Sequence, residues 1–276
     1  MVITSVLRVL TSLFALLFLG CLTGITTVLF GFGGGFVTVP VVYGFVTVTA
    51  PSGKDAMHVA VATSAAVMVV NTAVATLAQC RQGRVRRAYV WPLAAFIATG
   101  AVAGSFLATL IGGTALRLLF AAYLLVTVLD SLVRKGFLSV QRRPCPEPLG
   151  RGTTTFGGVG IGMVAAGLGV GGSVMTVPLL RRRGLPMAEA TAMANPLSVP
   201  VALAGTVVYA LASSGPAGTG RIGYVDLAAG AALLLGSLPA IALARRVAGR
   251  VPDRVHSAAY VVLLVVVLVV MTAGGL

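Results

Sequence analysis

Charge is what this sequence has least of: 9% of its 276 residues are Asp, Glu, Lys or Arg, and only 6 of them are acidic. Soluble domains carry about 25% charged residues, so a water-soluble fold would have too little to place on its surface. Cysteine and histidine are also scarce. Cys21, Cys80 and Cys145 are far apart, and with 2 histidines in the chain they make neither a disulfide framework nor a metal cluster. No cofactor is expected. The few ionisable groups leave little for general acid and base chemistry, which argues against a membrane-embedded enzyme. No Gly-Lys-Ser/Thr follows either of the two glycine clusters, so neither reads as a nucleotide loop.

Apolar residues make up 58% of the chain, and the mean hydropathy is +1.02. Apolar runs at 9–30, 59–78, 90–111, 116–132, 225–244 and 257–273 match the ~20 residues needed to cross a hydrocarbon core of about 30 Å. The net charge of +14 sits in short clusters between these runs. That is the pattern of cytoplasmic loops facing anionic lipid rather than of nucleic-acid binding. The expected setting is a bacterial-type cytoplasmic membrane, with membrane lipids as partners and no nucleic acid; nothing in the sequence sets an oligomeric state. Phe18-Leu19-Gly20-Cys21 resembles a lipoprotein processing site, but the apolar run continues through Phe30, and the segment is expected to be retained.

The chain repeats itself. Gly33-Gly34-Gly35-Phe36-Val37-Thr38-Val39-Pro40 aligns with Gly171-Gly172-Ser173-Val174-Met175-Thr176-Val177-Pro178, and Ala60-Val61-Ala62-Thr63-Ser64 with Ala192-Met193-Ala194-Asn195-Pro196. Gly83-Arg84-Val85 then pairs with Gly220-Arg221-Ile222, Gly104-Ser105 with Gly236-Ser237, and Ala121-Ala122-Tyr123 with Ala258-Ala259-Tyr260. Each half reads as a glycine-interrupted segment followed by three regular spans, at 9–48, 58–79, 89–111 and 115–133, then at 153–180, 187–212, 224–244 and 255–274. The first membrane repeat covers 1–134, a cytoplasmic linker 135–151, and the second repeat 152–276.

Equivalent loops carry opposite charge bias. Lys54 beside Asp55 corresponds to Arg181, Arg182 and Arg183; Arg81, Arg84, Arg86 and Arg87 to Arg221 alone; Arg117 to Arg245, Arg246, Arg250 and Arg254. Arg134, Lys135, Arg142, Arg143 and Arg151 follow the first half, and nothing basic follows the second. With the arginine-rich loops cytoplasmic, the stretch 153–180 must leave and return on one side. It is too short for two full crossings at about 1.5 Å per residue, so it is expected to re-enter as two half-helices joined at Gly167-Leu168-Gly169-Val170-Gly171-Gly172. The fold class expected is therefore an all-α polytopic membrane protein of two inverted-topology repeats, each a glycine-broken helix or re-entrant pair plus three transmembrane helices. Arg8 falls on the disfavoured outer side in this scheme.

Unwound backbone at membrane depth is tolerated where it lines a cavity or is buried in protein. A half-helix beginning at a glycine break presents unpaired N–H groups and partial positive charge, which makes an anion site without a buried cation. The candidate substrate-binding residues are Gly33, Gly34, Gly35, Thr38 and Pro40 at the first break and Gly171, Gly172, Ser173, Thr176 and Pro178 at the second, with Thr38 and Thr176 as hydroxyl donors and the prolines bending or ending the half-helices. Thr63, Ser64 and Asn195 place compact polar groups in apolar spans, either for substrate or to bond a neighbouring helix. Close helix packing is the competing explanation for the glycines. Asn71 and Gln79 are weaker candidates, and His58 at the mouth of a span reads as incidental.

The two glycine motifs, with Ala62-Thr63-Ser64 and Ala194-Asn195-Pro196 after them, resemble the TauE/SafE sulfite exporter family over nearly the whole chain. The resemblance implies a cytoplasmic-membrane permease for sulfite, sulfonates, thiosulfate or related small organic anions. Gly35 stands opposite Ser173, and the first half has Thr63 opposite Asn195, so a site formed by these positions is asymmetric. An alternating-access transporter of a small anion is the leading expectation; a passive anion channel, another organic-anion permease and a non-transporting receptor subunit are the alternatives.

Overall fold

A computed structural model describes residues 2–49, 55–85, 90–133, 150–182, 184–212, 220–248 and 251–273, with backbone alone at 2–13 and 182. Lys54, Arg86, Arg87, Arg134, Arg183, Arg250, Cys145 and nearly all of the 135–151 linker, with Arg142 and Arg143, lie outside the described residues.

The described chain is helical almost throughout. The first half contains α1 (Val2–Phe30), α2 (Gly35–Thr49), α3 (Ala56–Arg81), α4 (Leu93–Leu110) and α5 (Gly113–Val133). The second contains α6 (Gly158–Gly167), entered through a π-turn at Thr153–Gly157, then α7 (Ser173–Arg182), α8 (Met187–Leu211), α9 (Leu227–Val247) and α10 (Asp253–Ala273). Six of these, α3, α4, α5, α8, α9 and α10, are long and apolar enough to cross a membrane. They are the six regular spans expected from the sequence. Large apolar side chains face outward along them, Phe106, Leu118, Val126, Leu235 and Val262 among them; that surface suits hydrocarbon rather than water.

Close packing is reciprocal between the halves. α1 lies against α9 and α4 against α6, while α3 faces α8 and α5 faces α10. Small residues make the two close crossings possible. A side chain on Gly236 would overlap the Leu17 carbonyl, and one on Gly104 the Met163 carbonyl. Gly20 and Gly24 on α1, and Gly158 and Gly162 on α6, are equally without room for a Cβ.

α3 serves as a ruler for direction. Near its start, His58 Nε2 is 3.2 Å from Ala108 O and 2.9 Å from Ile111 O at the end of α4, and Thr63 Oγ1 accepts from the Asp226 amide at the start of α9 (2.9 Å). Near its other end, Gln79, Gln82 and Arg84 share a small cavity with Ala188 at the start of α8, Arg245 at the end of α9 and His256 at the start of α10. Hence α4 and α8 run against α3, and α9 runs along it. The equivalent helices α3 and α8 are opposed in direction, and so are α4 and α9.

Both broken segments turn back on themselves. α1 advances along α3 until Val28 reaches the level of Ala75 and Gln79; Gly34 then lies against Thr23 and Asn71, and Gly35 against Met68, so α2 returns. In the second half α6 follows α4 from Leu93 beside Gly158 to Ala108 beside Gly167, and α7 comes back to seat Arg181 on Asp253 at the start of α10 (3.1 Å). The sequence did not indicate the small antiparallel hairpin before α9, in which Arg221 pairs with Asp226 and Ile222 with Val225. Tyr224 of this hairpin stacks on His58 at a centroid distance of 5.1 Å. Its phenol is pushed above the ordinary tyrosine value, first by burial and then by the Asp55 carboxylate, so it stays protonated and neutral.

Candidate anion site at the junction of the helix breaks

Each break starts from a glycine that lets the incoming helix stop. Gly31 at φ +73° takes the left-handed position after α1, and its amide bonds Thr27 O (3.1 Å). After α6, Gly169 at φ +66° and Val170 return their amides to Ala166 and Ala165 (3.3 and 2.9 Å), a Schellman-type end. Gly33 and Gly34 continue at φ +65° and +84°, backbone that a residue with a Cβ rarely adopts. Gly34 and Gly172 are non-helical, as the sequence predicts.

The two breaks touch. A Cβ on Gly35 would lie 2.8 Å from Gly169 O, and one on Gly171 would lie 2.5 Å from Phe32 O. Ser64 sits between them, its hydroxyl 2.8 Å from Gly169 O and 3.2 Å from Gly35 O. Asn71 reaches the first break from the next turns of α3: its Nδ2 donates to Gly33 O (3.4 Å) and its Oδ1 accepts from Ser237 Oγ (2.7 Å). From α8, Asn195 Nδ2 donates to Thr27 O (3.3 Å), one residue stretch ahead of the first break.

Donors remain after this bonding. The amides of Met175 and Thr176 turn back to Gly172 O, and those of Val37 and Thr38 to Gly34 O. Among the described residues the amides of Gly33, Gly34, Gly171, Gly172 and Ser173 have no backbone acceptor. Ser173 Oγ, Thr176 Oγ1 and Asn195 Oδ1, all on fully buried residues, likewise have no protein partner. Unpaired buried polar atoms are rare and call for an explanation.

The sequence candidates therefore separate. Ser173, Thr176 and Asn195 keep free polar atoms, whereas the Thr38 hydroxyl donates back to Gly34 O (3.0 Å) just ahead of α2, Thr63 holds the hairpin and Ser64 holds the two breaks. Pro40 and Pro178 end neither helix; both lie inside α2 and α7. Pro178 deprives Val174 O of its helical donor, and the Tyr260 hydroxyl supplies one at 3.2 Å. His58 is buried rather than loose at an interface, with its Nε2 bonded at the end of α4 and its Nδ1 unpartnered.

Sequence reasoning missed the aromatic packing beside the first break. Phe32 lies 5.1 Å from Phe36, 5.2 Å from Tyr260 and 5.5 Å from Phe30 by ring centroids, and Phe36 continues to Phe120 and Tyr123. The signal was present, since Tyr123 and Tyr260 are repeat equivalents. Aromatic pairs at these distances add apolar packing around the first break.

The geometry is a buried meeting of two helix starts, rich in unsatisfied donors and apolar around its edge. The family model for the sulfite exporter TauE/SafE matches residues 16–271. The chain belongs to the TauE/SafE sulfite exporter family. Its members are membrane transporters, and with six apolar spans this TauE/SafE protein is a multi-pass membrane transporter of anions. No curated protein and no solved structure matches it significantly.

Proposed function

We propose that this protein is an alternating-access secondary transporter of a small anion, sulfite or a related sulfur oxyanion or organosulfonate. The anion is held where the two glycine breaks meet. The observation that carries this reading is the set of unsatisfied groups at the junction: amides of Gly33, Gly34, Gly171 and Gly172, and the free atoms of Ser173 and Thr176. Donors of this kind, with the starts of α2 and α7 aimed inward, favour a negative charge without a buried lysine or arginine. The free Oδ1 of Asn195 is an acceptor among donors, and it suits an oxyanion that keeps one proton, such as hydrogen sulfite, or a sulfonate carrying an amine.

The same reading takes the two halves as inverted repeats around this site, supported by the opposed directions of α3 and α8 and by re-entrant segments that come from opposite ends. The arginine-rich end, with Arg84 and Arg245, is cytoplasmic. The test is counterflow in proteoliposomes loaded with sulfite, thiosulfate, taurine or chloride. Saturable exchange of a sulfur oxyanion or sulfonate is expected. Flux that rises linearly with concentration and shows no counterflow would make the protein a channel instead.

A further inference from the structure

A second polar feature lies away from the junction, at the end of the bundle where α3 and α9 finish and α8 and α10 begin. A small cavity there has Gln79, Gln82, Arg84, Thr191, Arg245 and His256 in its lining. Arg84 and Arg245, both exposed, are among the lining residues, and among the described residues neither has an acidic partner. Glu189, one residue beyond Ala188 on α8, does not line it. Gln79 carries a buried Oε1 without a partner; Thr191, whose hydroxyl donates to Ala188 O (3.2 Å), and His256, whose Nε2 bonds Leu29 O, are buried. One turn beyond Thr191 along α8 is Asn195, whose free Oδ1 belongs to the junction; the Thr191 carbonyl itself abuts Gly31.

We propose that this cavity is a second oxyanion-binding site on the way to the first break, in which Arg84 and Arg245 capture the anion and the Gln79 side-chain amide donates its N–H to it. The inference rests on the transport reading for the direction of passage, but the site itself follows from charge and shape alone. Two arginines lining one cavity, with no carboxylate partner among the described residues, recognise a doubly or singly charged oxyanion, whether a free sulfur oxyanion or the headgroup of an anionic lipid. Fields of this kind raise local anion concentration by about 10- to 1000-fold.

The test uses the full chain, purified and reconstituted, with its native cysteines replaced and a single Gln82→Cys at the cavity. Thiol modification is followed with an anionic and a cationic methanethiosulfonate, with inorganic sulfate or phosphatidylglycerol micelles as protectants. The anionic reagent is expected to react faster, with a rate ratio that falls at least about tenfold in Arg84→Gln/Arg245→Gln and recovers in Arg84→Lys/Arg245→Lys. Protection by sulfate identifies a free-anion site, and protection by phosphatidylglycerol alone identifies a lipid-headgroup site. A rate ratio unchanged by removing both arginines overturns the proposal. Counterflow fails or succeeds independently of this labelling, so a failure of the transport reading is told apart from a failure of the cavity.

Discussion

Ser64 shares one hydroxyl proton between two carbonyls, Gly35 O and Gly169 O, that belong to different halves of the protein. Ser64→Ala removes that tie and leaves both carbonyls, so a loss of about 1 kcal/mol is expected, read as a lower melting temperature in detergent. The free atoms at the junction lead to a different outcome. Ser173→Ala and Thr176→Val each remove a hydroxyl that bonds nothing in the protein, so stability should hold while apparent KM for the transported anion rises about fivefold, the equivalent of ~1 kcal/mol. Equal loss of stability and transport in these two variants would show that they are packing residues. Glycine substitution is a poorer probe of the anion, because Gly33 and Gly171 have no room for a Cβ whatever the ligand.

At the scale of elements, the crossings of α1 on α9 and α4 on α6 depend on glycine as the breaks do. Gly104→Val and Gly236→Val would drive a side chain into backbone carbonyls, and destabilisation of 3 kcal/mol or more, at the top of the roughly 1–3 kcal/mol overpacking range, is expected. Gly44→Ala is the control: nothing lies within 4 Å of its Cβ position, and a gain of about 0.5–1 kcal/mol is expected from helix propensity. Thermal unfolding in detergent reads all three. The spans themselves were legible in the sequence, because a helix in hydrocarbon needs a long apolar run and little else; the expected 187–212 is Met187–Leu211 in the structure. The breaks were legible because Gly33-Gly34-Gly35 and Gly171-Gly172 recur at equivalent places. What the sequence hid was partnership. Thr38 and Thr176 look alike in the repeat, yet one bonds back to Gly34 O and the other nothing, and that difference depends on local geometry. The hairpin at Arg221–Asp226 was hidden too, since two-residue strands leave no periodicity to read.

For the whole molecule, inverted halves with their arginine-rich loops in the cytoplasm require the end bearing Arg84 and Arg245 to face the cytoplasm and the end bearing Arg221 and His58 to face away. Single-cysteine labelling at Arg84 and Arg221 in intact cells should give opposite accessibility to an impermeant reagent; labelling of both from one side would remove the inverted arrangement. The central claim is that a small oxyanion rests at the junction of the breaks, and it is tested most directly by locating a heavy oxyanion there. Anomalous diffraction from crystals of the protein grown with selenite, a close analogue of sulfite, should place selenium where its oxygens lie about 3 Å from the amides of Gly171, Gly172 and Ser173, with Thr176 and Asn195 in reach. Selenium bound only elsewhere in the protein, with the junction amides still unoccupied, would contradict the account.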